Sequence, residues 1–314
     1  MLGGFLAVLA AISFSMNSVL VRRGVVRATP SQAAFVTVLM GVPMFLVAAI
    51  VTGQILKLDD LAASSYVYLT AGGIVNFVIG RHFNYLAIEA IGAARAAPFQ
   101  ALSLPYSVAI AFFFLDESVT LAVGLGVALI MIGPAIMMEG RARQPVALAV
   151  GSPVSASHAM REQFAARQVE GYIAAIIASI AYGTSPILFR AALEGHTGIS
   201  LFGGLVSYVA AAAVLLVSVA LPTRRDLLRT LQPRTQRVFF GASFFVFLAQ
   251  VLRFLALSVA PVAVVTALER TNSIFTLLLS WLWNRAIEFI TLRVVIGILT
   301  SVTGAIILVV AVGT

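Results

Sequence analysis

The chain has 314 residues, 61% of them hydrophobic and only 10% charged, with a mean hydropathy of +1.05, so water is not its principal solvent. Twenty Lys and Arg against twelve Asp and Glu give a formal charge of +8, yet the basic residues sit between apolar runs, which points to anionic lipid headgroups rather than nucleic acid. Zero cysteines exclude disulfides, thiolate nucleophiles and Cys-ligated metals, and His82, His158 and His196 offer no metal-ligand spacing; no metal or cofactor is expected.

Windows long enough to cross about 30 Å of hydrocarbon predict about ten helices. Their approximate spans are 2–21, 32–52, 66–87, 93–114, 119–138, 170–189, 199–221, 238–257, 262–284 and 290–312. Barrel strands would instead be about ten residues long with alternating polarity. The first span reads as a retained helix rather than a secretory signal, because no Lys or Arg precedes it and Arg22 and Arg23 follow without a small-residue cleavage site. Pro43, Pro98, Pro105, Pro134 and Pro186 fall inside spans, where each frees a backbone carbonyl and marks a candidate kink. Pro98 and Pro105 flank Gln100, so a bend there would offer carbonyls to the interior. Phe112 to Phe114, Trp281 and Trp283 lie near span ends as interfacial anchors.

Residues 139–169 break the apolar texture with Arg141, Arg143, Pro145, Pro153, Arg161 and Arg167 among several serines, and read as a polar, Arg-rich linker between halves 1–138 and 170–314. The halves align with each other. Glu117, Thr120, Leu121, Val123, Gly126 and Gly133 lie over Glu288, Thr291, Leu292, Val294, Gly297 and Gly304. Upstream, Tyr85-Leu-Ala-Ile matches Phe254-Leu-Ala-Leu, and Phe14 with Arg22 matches Tyr182 with Arg190. The second copy carries about two extra residues at Asn284, Arg285 and Ala286. Five helices per half is an odd number, so the second half enters from the opposite side, and the expected fold is an all-α membrane protein of two inverted five-helix repeats. The repeated glycines suit close helix approach, and Glu117 and Glu288, just before helices, suit N-terminal capping.

These features, above all the segments Tyr85 to Gly133 and Phe254 to Gly304, resemble the EamA-like branch of the drug/metabolite transporter superfamily. The resemblance implies transport of a small organic solute through a central cavity between the halves, with substrates ranging across the superfamily from amino acids and amines to sugar phosphates and nucleotide sugars.

Thirteen arginines, among them Arg22, Arg23, Arg141, Arg167, Arg224 and Arg285, fall in odd-numbered loops, while the even loops hold little beyond Lys57. The positive-inside rule then puts the odd loops in the cytoplasm of a cell (inner or plasma) membrane and both termini outside. The family resemblance implies the reverse.

An ionisable group near the bilayer centre costs at least about 2.5 kcal/mol and asks for a partner, a wet cavity or a function. Glu269 and Arg270 are the deepest and, as sequence neighbours, point about 100° apart on a helix, so each should meet another helix. Gln100 is the repeat counterpart of Glu269, and Arg81 and Asn84 are the counterparts of Gln250 and Arg253. Arg81, Arg253 and Arg270 can receive a carboxylate or phosphate on the guanidinium fork, or else snorkel toward an interface. Asn17 and Tyr182 can add hydrogen bonds to a solute or between helices. The candidate substrate-binding set is therefore Arg270, Glu269, Gln100, Arg81, Arg253, Asn84, Asn17 and Tyr182.

The expected function is secondary transport of an anionic or zwitterionic solute by alternating access, with membrane lipids as surroundings, Glu269 as the carboxylate for proton coupling and the oligomeric state open. A flippase for a lipid-linked sugar is the alternative. No HxxxD, HExxH or Asp-rich cluster supports a membrane-embedded enzyme, and no GxxxxGK[ST] loop supports direct ATP drive.

Overall fold

The computed structural model describes residues 2–106, 109, 120–138, 154–193, 198–220, 232–259, 265, 268–284, 287 and 290–313, and these are helices and their connections. In lipid every backbone N–H and C=O must be satisfied within the chain, which is why sequences this apolar fold as helices. In the first half, α1 covers Leu2–Val25, α2 Pro30–Val51, α3 Ala63–Ile91, α4 the short Ala93–Ala96, and α5 Leu121–Met138. In the second, α6 covers Val154–Leu193, α7 Ser200–Ala220, α8 Pro233–Val259, α9 Asn272–Trp283 and α10 Leu292–Gly313. Among the described residues, six helices are long and apolar enough to cross a membrane (α1, α2, α3, α6, α7 and α8), and stretches of α5, α9 and α10 form three shorter apolar helices.

Four elements differ from the sequence expectation, each for a local physical reason. The third helix is longer than 66–87 and contains a π-helical segment, Ile74–Gly80, between its α-helical ends. The fourth does not run as a continuous α-helix from residue 93: after Ala96 the chain tightens into a 3-10 turn, Ala97–Leu102, with Pro98 in its first turn, where the missing N–H costs least. The ninth is interrupted, since Arg270 and Thr271 form a turn before α9 starts at Asn272. Finally, α6 begins at Val154, inside the segment read as a linker. Ala, Met, Arg, Glu and Gln are good helix formers, so polarity ends the membrane span there without ending the helix. Pro43 and Pro134 remain inside α2 and α5. Phe112 to Phe114, Glu117 and Glu288 lie outside the described residues, whereas Trp281 and Trp283 are exposed at the end of α9.

The helix contacts respect exchange of the halves. The α1–α8 packing has its counterpart in α3–α6, α2–α8 in α3–α7, and α1–α9 in the contact of α6 with the turn after α4, while α2–α7 and α5–α10 map onto themselves. In the last pair the two backbones approach closely. Glycines aligned between the repeats meet there: a Cβ on Gly304 would lie 2.7 Å from the Gly126 carbonyl oxygen, and one on Gly133 2.5 Å from that of Gly297. Small residues let helix backbones approach where lipid offers no hydrophobic drive for association.

The start of α2 is locked by a reciprocal cap, in which Thr29 Oγ1 accepts from the Gln32 N–H and the Gln32 side chain accepts from the Thr29 N–H (3.2 and 2.9 Å). At its other end α1 is tied across the molecule. Arg22 donates to the carbonyls of Ile88 (3.1 Å) and Glu89 (2.6 Å) at the end of α3 and to Ile287 (2.8 Å) beyond α9. Arg23 donates to Asn284 Oδ1 (2.7 Å) and to the Trp283 carbonyl, and Asn284 Nδ2 donates back to Val19 O (2.9 Å). Helix C-terminal carbonyls lack intrahelical donors and carry partial negative charge, so guanidinium groups are suited to bridge them.

Candidate functional site

The π segment of α3 positions the first part of the site. Asn76, Phe77, Gly80, Arg81, Asn84 and Tyr85 are buried. Gly80 has no Cβ to meet the Tyr182 ring, which would lie 2.8 Å away, and this brings α6 close. Asn76 Nδ2 donates to Ser185 Oγ at 2.7 Å. Arg81, 3% exposed, donates through Nη2 to the Tyr208 hydroxyl at 2.7 Å, and its guanidinium lies 4.8 Å from the Phe77 ring centroid and 5.2 Å from that of Tyr208. Ring faces attract a cation, which holds Arg81 in the interior without a carboxylate. Tyr208 is itself fixed by stacking on Phe45 (4.9 Å) in a space that Gly41 leaves open.

The interruption of the ninth helix and the 3-10 turn after α4 supply the opposite wall. Arg270 Nη1 reaches the Gln100 carbonyl at 3.3 Å, so the irregular backbone near Pro98 does present an acceptor to the interior. Gln100 Nε2 donates to Asn84 Oδ1 at 3.2 Å. Arg253 Nε and Glu269 Oε1 stand 3.3 Å apart as an ion pair whose geometry falls short of a hydrogen bond. These two contacts are repeat counterparts, since 84 and 100 become 253 and 269 on adding the repeat offset. The same tie between third and fourth helices is neutral in one half and ionic in the other. Asn17 on α1 donates to the Ala242 carbonyl (2.9 Å) and to the Tyr85 hydroxyl (3.3 Å).

All eight residues singled out in the sequence line one cavity: Asn17, Arg81, Asn84, Gln100, Tyr182, Arg253, Glu269 and Arg270. It encloses about 790 Å³ of empty space, a figure that includes its open mouth. Asn76, Tyr85, Gln250 and Asn272 join the lining. Tyr208 was missed as the support of Arg81. Its signal was a solitary tyrosine, beside Ser207, in the middle of a largely apolar span. Glu89 lies away from the cavity, paired with Arg167 at 3.1 Å. Among the described residues, no three His, Asp or Glu side chains gather in a metal-binding group.

A model of the EamA-like transporter family matches residues 1–138 and 169–310, nearly the whole chain in two copies. The chain belongs to the EamA-like transporter family. It is therefore a multi-pass membrane transporter of the drug/metabolite type, with a small-molecule substrate and membrane lipids around it. One crystal structure, described only as that of a protein, is similar at a TM-score of 0.58 and 14% identity over 98% of this chain and 97% of its own, a likeness that shows the fold alone. No curated protein matches the sequence.

Proposed function

We propose that the chain is a secondary transporter, without enzymatic activity, that carries a small anionic or zwitterionic organic solute by alternating access. Its two five-helix halves would rock about the cavity, with the odd-numbered loops in the cytoplasm. The observation that carries this reading is the convergence of three arginines and one glutamate from α3, α8 and the segment before α9 on one cavity. Interior charge in a membrane protein is costly, so it is retained where a substrate or ion uses it. Counterflow in proteoliposomes holding the purified chain tests it. Saturable exchange of an anionic or zwitterionic solute, lost in Arg270→Ala, is expected. Failure of every soluble solute to exchange would abandon the reading in favour of a lipid-linked cargo.

Alternating access also requires the tie between α1 and the end of α9 to break, because it joins the two halves at one end. Asn284→Ala removes two of its hydrogen bonds, about 1 kcal/mol each, and is expected to raise opening on that side about thirtyfold. The native chain has no cysteine, so a single Ser18→Cys reporter in the cavity gives a clean readout. An impermeant maleimide should label it faster in the Asn284→Ala background, and an unchanged rate would show that this tie does not gate access.

A further inference from the structure

The charges around the cavity do not balance. Arg81, Arg253 and Arg270 against Glu269 leave three minus one, or +2. The other eleven of the twelve acidic residues lie at span ends or between spans in the sequence, and among the described residues none lines the cavity. Glu269 is already committed to Arg253 at 3.3 Å. Neither Arg81 nor Arg270 has a carboxylate within 4 Å among the described residues, and each keeps a buried N–H with no protein acceptor, Nη1 of Arg81 and Nε of Arg270. One of these donors belongs to the first half and the other to the second. A buried donor left unsatisfied is a standing cost, and a guanidinium N–H is best met by an anionic oxygen.

We infer that the cargo is a small organic dianion whose anionic oxygens engage Arg81 and Arg270, so that one molecule neutralises the cavity and bridges the halves. The inference rests on the transporter reading of this cavity. A zwitterion brings no net charge, and its ammonium group would have to compete with Arg253 for Glu269. A monoanion leaves one of the two guanidinium groups unanswered. Dicarboxylates and phosphate monoesters share the required chemistry, since both present two negative charges to guanidinium forks.

The test is counterflow with the full-length chain in proteoliposomes, using succinate, glycerol 3-phosphate, lactate, alanine and glycerol as probes. Succinate or glycerol 3-phosphate should exchange at least tenfold faster than lactate or alanine, and the faster of the two identifies which dianion chemistry the site takes. Arg81→Gln and Arg270→Gln should each lower dianion exchange at least tenfold and narrow its advantage over lactate. The native profile decides the matter even where a variant fails to fold. Preferred exchange of lactate, alanine or glycerol would overturn the dianion and leave the carrier standing. No exchange of any probe by protein that unfolds cooperatively on heating would overturn both.

Discussion

Glu269→Gln is expected to destabilise the protein by about 2–3 kcal/mol and to abolish exchange. Breaking a fully buried ion pair from one side costs about 3–5 kcal/mol, and the lower figure follows because 26% of the Arg253 side chain stays exposed against 9% for Glu269. The variant would leave Arg253 and Arg270 around one cavity with no anion between them. The first half shows how to repair this. Its counterpart contact, Gln100 to Asn84, is a neutral hydrogen bond at 3.2 Å. The double variant Arg253→Asn, Glu269→Gln copies that pair and keeps the net cavity charge at +2 through Arg81 and Arg270. It should recover thermal stability to within about 1 kcal/mol of the native chain, as a matched neutral pair often replaces a buried ionic one without loss. Heat survival in detergent measures this, and a double variant no more stable than the single would show that the two ties are not equivalent. Exchange should return with stability. Uptake driven by a pH gradient should not return, because Glu269 is the one carboxylate among the described cavity residues; unaltered pH-driven uptake would remove it from coupling.

The second large effect lies away from the cavity, where α5 meets α10. Gly304→Ala places a Cβ 2.7 Å from both the Gly126 carbonyl oxygen and the Ile130 nitrogen, and Gly133→Ala places one 2.0 Å from Ser301 Oγ and 2.5 Å from the Gly297 carbonyl oxygen. Backbone cannot rotate aside as a flexible side chain can, so the helices must separate. Each substitution is expected to cost about 3 kcal/mol, the upper end of ordinary overpacking, and the double should not yield folded protein. Gly124→Ala, on α5 with Gly133, is the internal control. Nothing lies within 4 Å of its added Cβ, so it should be neutral or slightly stabilising through helix propensity. Monodisperse yield and melting temperature separate the outcomes, and similar behaviour of Gly124→Ala and Gly304→Ala would refute the contact.

Hydropathy and internal repetition made much of this molecule legible in advance. Membrane embedding follows from apolar run length alone, because an unpaired backbone in hydrocarbon permits few structures. The glycines aligned between repeats and the rare polar residues inside spans were visible as exceptions to a uniform composition, and the eight chosen this way surround one cavity. Composition is a local property, and these features are local. What was not legible depends on how helices turn against one another. The π segment at Ile74–Gly80 shifts the face that α3 presents, and apolar residues at those positions fit an α-helix equally well. The partnership of Arg81 with Tyr208 joins residues 127 positions apart, and the tie from Asn17 to Ala242 spans 225. Asn284 stood out only as part of an insertion in the second repeat, yet it links the end of α9 to α1. The sequence by itself determined that this chain lives in a membrane, repeats itself and places a few charges inside; only the tertiary structure decided which of those charges neutralise one another and which are left for a solute, because pairing depends on the rotation and approach of helices that are distant in the chain.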